Sequence, residues 1–287
     1  MTQVVHAEWT KLRTLASTWW LLLAAVALTI AVGAAVGAAF QCHQFACAPA
    51  QTGADPAKIS LAGVALGQVI VALLAVLAVG GEYTTGMIRV TLAATPRRLI
   101  LLAAKAAVVL GWTLAAGVVA VLGSVLAGRL ILPGRGLSAA NGYALLSLGS
   151  GPDLRAAAGS VLYLALIALL ALGVTTAIRD PAVAIGALLG LLFLLPIASA
   201  VIPDHVLARH LEQIAPMTAG LYIQATTDVR SLPLTPWQGL GVLALWSLGA
   251  MLLGALVLRF RDALGWVAIR AAGMRTRRPP RPGRQPR

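Results

Sequence analysis

The sequence predicts an all-α, polytopic membrane protein with six transmembrane helices. Three observations lead there. Of the 287 residues, 59% are hydrophobic and only 11% charged, where a soluble domain carries roughly a quarter charged residues. Apolar runs longer than the roughly 18 residues of a membrane-crossing helix recur along the chain. These runs are built mainly from Ala, Leu, Val and Gly, which suits helices packed through small side chains. The strict alternation of a membrane barrel is missing. The expected spans are about 17–40, 61–80, 96–128, 156–178, 181–202 and 236–258, forming one transmembrane domain over residues 1–270.

Ahead of the first span, Val5, Trp9, Leu12 and Ala16 share one helical face, with His6, Thr10, Arg13 and Thr14 opposite. This pattern predicts an amphipathic helix lying in the cytoplasmic interface, Trp9 at headgroup level and Lys11 and Arg13 among its cations. Glu8 falls inside the apolar arc. Either it pairs with Lys11 three residues on, the preferred reading, or it meets a basic group of another segment. A signal peptide is not expected, because the run from Ser17 to Phe40 exceeds a signal h-region of roughly 7–15 residues.

The first span opens on Trp19 and Trp20, an aromatic belt. Gly33/Gly37, Gly63/Gly67 and Gly186/Gly190 repeat the spacing of close helix contacts, though a glycine-rich chain also produces it by chance. Both cysteines, Cys42 and Cys47, lie in the loop 41–59. If that loop is outside the cell they could close a small disulfide; the alternative is free thiols. A metal there lacks a fourth ligand beside Cys42, His43 and Cys47.

Gly80 to Arg98 reads GGEYTTGMIRVTLAATPRR, a polar, charged stretch between two long apolar runs. Gly80-Gly81 is expected to end the second span, and Glu82 to open a short helix with Tyr83, Met87, Val90 and Ala94 on one face. Thr95-Pro96 reads as the start of the third span, with Arg97 and Arg98 following at once. Arginines there oppose the helix dipole, so anionic headgroups or a protein partner must favour them. The third span is longer than a bilayer core requires and should tilt or project. Lys105, two turns in, is expected to snorkel to the cytoplasmic surface.

After a Gly- and Pro-marked connection whose middle, 139–148, suits a short partly inserted segment, the fourth span follows. Arg179-Asp180-Pro181 reads as a tight turn in which Asp180 caps the fifth span and Pro181 opens it. Pro196 should kink that span. Residues 203–236 carry a short amphipathic helix, capped by Asp204, expected to lie on the outer surface. The tail 271–287, ending RTRRPPRPGRQPR, is expected to be disordered, basic and cytoplasmic.

Placing both termini inside puts sixteen basic residues on the inner side and six on the outer, as positive-inside topology requires. The net charge of +13 is thereby explained by topology, and no nucleic-acid partner is expected. Enzyme readings fare poorly. None of the nine acids or four histidines falls mid-span, and HEXXH is absent. A phosphate-binding loop is also absent.

The stretch GEYTTGMIRVTLAATPRR resembles the E-Y-x-x-G-T-x-R…L-A-x-P-R-R pattern of ABC-2 type ABC transporter permeases, particularly actinobacterial ones. EWTKLRTLASTWWLL, from Glu8 to Leu22, is similar to the N-terminal signature of that family. The resemblance covers most of the chain. It implies a transmembrane subunit of an exporter in the bacterial plasma membrane, working as a pair of permeases, two copies or one with a relative. ATP and Mg would sit in a separate ABC ATPase subunit, this chain holding no cofactor. It also implies that Glu82, Tyr83, Gly86, Arg89, Pro96, Arg97 and Arg98 belong to a coupling helix docking on that ATPase. Met87 departs from the family's Thr or Ser. The alternative is a membrane scaffold or sensor that transports nothing.

Overall fold

The computed structural model describes residues 2–41, 53–87 and 98–275, with 261–275 as backbone only. Among these residues every regular element is helical, and six helices are long and apolar enough to cross a membrane. The protein is a multi-pass, all-helical membrane protein.

Helix α1 (Thr2–Thr14) leads into the first span, α2 (Ala16–Ala39). A short α3 (Pro56–Ser60) precedes the second span, α4 (Val64–Thr84). The third and fourth spans are α5 (Arg98–Ile131) and α6 (Gly151–Ile178). The fifth joins α7 (Pro181–Leu189), a π-turn at Gly190–Leu194 and α8 (Leu195–Val201). Helices α9 (His205–Ile214) and α10 (Pro216–Leu221) precede the sixth span, α11 (Pro236–Arg275). Helix starts follow capping chemistry. Asp180 Oδ1 accepts from Val183 N at 2.9 Å with Pro181 opening α7, and Arg179 before it takes the left-handed conformation at φ 66°.

Helix α6 is the hub, packing on α4, α5, α7 and α11, while α2 lies against α4 and α5. Small residues permit this closeness. A methyl added at Gly63 would overlap the Thr29 carbonyl of α2, and one at Gly173 would lie 2.5 Å from the α11 backbone at Ala250. Three hydroxyls inside the bundle are satisfied locally: Thr29, Thr175 and Thr176 each donate four residues back at 2.7 Å.

Four expectations change. First, α4 does not stop at Gly80-Gly81 but continues to Thr84. Gly80 is a packing site: a Cβ there would lie 2.7 Å from the Pro181 ring. Second, α11 runs past Leu258 to Arg275, since no proline interrupts the chain between Pro236 and Pro279; residues 276–287 lie outside the described residues. Third, 139–148 forms no inserted helix. A 3₁₀ turn at Ala139–Asn141 leads into irregular chain that buries Tyr143 and Leu146. Fourth, the break in regular α-helix falls at the π-turn Gly190–Leu194, and Pro196 lies in the first turn of α8, where its missing N–H costs least.

Within residues 203–236 the expected amphipathic helix is present as α9, which buries none of its residues, and the departure lies in the chain after it. Asp204 caps α9 as expected, through Val206 N at 2.8 Å. The Ile214 carbonyl, however, accepts from Trp246 Nε1 at 3.0 Å, ten residues and about 15 Å along α11. Ala215, Ala219 and Gly220 are buried, Gly220 against Tyr163 and Leu243. The segment therefore dips between the spans and returns. Gln224 Nε2 donates to Ser160 Oγ at 3.1 Å, and the Asp55 carboxylate accepts from Thr226 Oγ1 at 2.7 Å and Thr227 N at 3.0 Å. These bonds tie the irregular chain to α3 and α6, and the one from Thr227 N satisfies a backbone donor that no helix serves.

Candidate functional site

Where α1, α4 and α5 meet, four charged side chains converge, three of them buried. Glu82 lies in the last turn of α4, 3% exposed. Its Oε1 accepts from Lys11 Nζ of α1 and from Lys105 Nζ of α5, the latter at 2.6 Å. Lys105 Nζ also donates to Glu8 Oε2 of α1 at 2.8 Å. The order Glu8–Lys105–Glu82–Lys11 alternates two acids with two bases and sums to zero charge. Only Lys11 reaches the rim, its side chain 34% exposed.

Each element supplies its charge for a local reason. Glu8 and Lys11, three apart, share the face of α1 that turns onto α5. Lys105 lies seven residues into α5, two turns, on the side that α1 covers. Glu82 sits where the helix dipole disfavours an anion, so the two lysines supply the compensation that the helix end does not. Glu82 Oε2 is buried without a partner among the described residues.

An aromatic cluster adjoins the charges. Trp9, next to Glu8, stacks on Trp112 with ring centroids 4.7 Å apart and planes at 15°. Trp19 of α2 meets Trp112 edge-on at 5.1 Å. Trp112 is seven residues after Lys105 and so on the same side of α5. Trp19 Nε1 donates to the Arg13 carbonyl at 3.0 Å, folding the α1–α2 corner. Leu12 is buried beside these contacts.

Several expected positions are relocated. Glu8 pairs with Lys105 of another segment, not with Lys11, because both acids of the cluster turn into the α1–α4–α5 junction where the lysines converge. Lys105 does not snorkel: it is 4% exposed and holds two carboxylates. Glu82 closes a helix instead of opening one, and its carboxylate points inward. Tyr83 packs partly buried on the core. Gly86 takes φ +69°, a conformation glycine adopts without steric cost, and turns the chain out of α4. Arg98 opens α5, its Nη1 donating to the Leu258 carbonyl at 2.8 Å. Arg179 Nη2 donates to the neighbouring Val257 carbonyl at 3.1 Å. Arg13 is exposed. Arg89, Pro96, Arg97, Cys42 and Cys47 lie outside the described residues.

Sequence reasoning missed the cluster as a unit, yet its signal was present. Glu8 in the apolar arc of α1 and Lys105 in an apolar run were two charges on faces that should carry none. Opposite charges misplaced in neighbouring segments are candidates for one another. No family model matches the chain, and no curated protein matches it.

Proposed function

We propose that the chain is the membrane-spanning permease subunit of an ATP-driven ABC exporter of the ABC-2 type, residing in a bacterial plasma membrane with both termini inside. Support comes from the stretches Glu8–Leu22 and Gly80–Arg98, which resemble that family, and from the six apolar helices. ATP and Mg belong to a separate ATPase subunit, consistent with a sequence that lacks a phosphate-binding loop. Helix α1 lies in the inner interface. Two copies of the chain, or one with a related permease, flank the cargo path.

The observation that carries this reading is that both stems of the 85–97 segment are tied into the bundle. On one side Glu82 is held by Lys11 and Lys105; on the other Arg98 is held by the Leu258 carbonyl within α11. A push on the segment is thus delivered to α1, α4, α5 and α11 together. When ATP closes the ATPases, that push rocks the spans between inward- and outward-facing states.

The test is biochemical. Purified alone in lipid, the chain is expected to hydrolyse no ATP; co-expressed with a cognate ABC ATPase, it is expected to co-purify with that subunit. Sustained ATP turnover by this chain alone contradicts the reading.

A further inference from the structure

We propose that Lys105 is the positioning residue that holds α1 and the end of α4 as one mechanical unit, so that α1 moves with the coupling segment. The functional meaning of this unit rests on the exporter reading, but the clamp itself is testable without any ATPase.

Lys105 is the one member of the cluster bonded to both acids, Glu8 of α1 and Glu82 of α4. It is nearly sealed from solvent, at 4% exposure, as are Glu82 at 3% and Glu8 at 8%. In such a site an ammonium is kept only by its carboxylates, and each carboxylate by its ammonium. Lys11 cannot replace it, because its only bond in the cluster is to Glu82 and it sits at the rim. Removing the Lys105 charge alone therefore leaves Glu8 buried without a cation. The carboxylate must then either take up a proton or carry α1 away toward water, and at the neutral pH of maleimide labelling the second is expected. The Trp9–Trp112 stack and buried Leu12 oppose that motion, so they report it. Neutralising Glu8 together with Lys105 removes the stranded charge and leaves Glu82 with Lys11, a neutral pair. Replacing both partners of a buried ion pair is commonly far milder than removing one, and this non-additive sign separates an ionic clamp from a side chain that merely fills space.

The experiment uses the full chain in lipid nanodiscs with Cys42→Ser and Cys47→Ser, and Leu12→Cys as the reporter. The rate of maleimide labelling measures how often α1 lifts. Lys105→Met, which keeps the length and loses the charge, is expected to raise that rate on the order of tenfold or more. Glu8→Gln with Lys105→Met is expected to return it most of the way, and Lys105→Arg to keep it slow. If Lys105→Met labels no faster than its parent, the clamp is wrong. If the double variant labels as fast as the single one, Lys105 acts by packing and the proposal is overturned equally. Failure of any version to bind an ABC ATPase would instead count against the exporter reading and leave the labelling result standing.

Discussion

At the residue scale, burial decides what each charge is worth. Glu82 and Lys105 are sealed, whereas Lys11 is a third exposed at the rim of the same cluster. Breaking a buried pair by removing one partner costs about 3–5 kcal/mol, while a partner near water contributes about 0–1 kcal/mol. Glu82→Gln strands Lys11 and halves the anionic support of Lys105. It is expected to lower thermal stability in detergent clearly more than Lys11→Met, with the difference readable as a shift in unfolding midpoint. Equal shifts would mean that Glu82 is well hydrated and the cluster unimportant to the fold. The sequence made Glu82 prominent but misread its direction. Two glycines before a glutamate look like a helix stop followed by a helix start; in the fold Gly80 is instead a mid-helix packing site that leaves room for the Pro181 ring. That contact joins residues far apart in sequence, and local pattern carries no trace of it.

At the element scale, the six spans were legible because hydrocarbon demands long apolar helices, and among the described residues six helices have that length and composition. Their ends were legible where side chains cap them, as at Asp180 and Asp204. The dip of the chain after α9 was not, because nothing in its local pattern marks it. Its depth is set by the small residues Ala219 and Gly220 and by bonds to distant Trp246, Ser160 and Asp55. The glycine pairs show the same limit. Gly33/Gly37 and Gly63/Gly67 meet neighbouring elements closely, whereas Gly186 and Gly190 meet nothing within 4 Å. Identical spacing thus has two fates. Gly63→Leu is expected to reduce folded yield severely, by overlap with the Thr29 backbone, while Gly186→Leu leaves it near the parent level. Size-exclusion profiles of the two variants check this, and comparable losses in both would contradict the packing described.

At the scale of the whole molecule, the proposed function makes the bundle a device worked from one end. The 85–97 segment leaves α4 one turn beyond Glu82 and returns at Arg98, so its two stems connect it to α1, α4, α5 and α11. Arg98 is unsuited to a coupling test, because reversing its charge would also break its bond to Leu258. Gly86 and Arg97 are better suited. Proline fixes φ near −65°, whereas Gly86 stands at +69°, so Gly86→Pro redirects the segment without altering charge. Arg97→Glu alters charge and leaves the Arg98 bond in place. Cysteine accessibility must first establish that both variants insert with the native topology, since a lost arginine weakens the positive-inside signal. The decisive measurement is the ATPase rate of the partner subunit in lipid, with and without this chain. The wild-type chain is expected to change that rate, and correctly inserted Gly86→Pro and Arg97→Glu chains to leave it at the value of the ATPase alone. Wild-type coupling in both variants would contradict the claim that the 80–98 segment carries the connection.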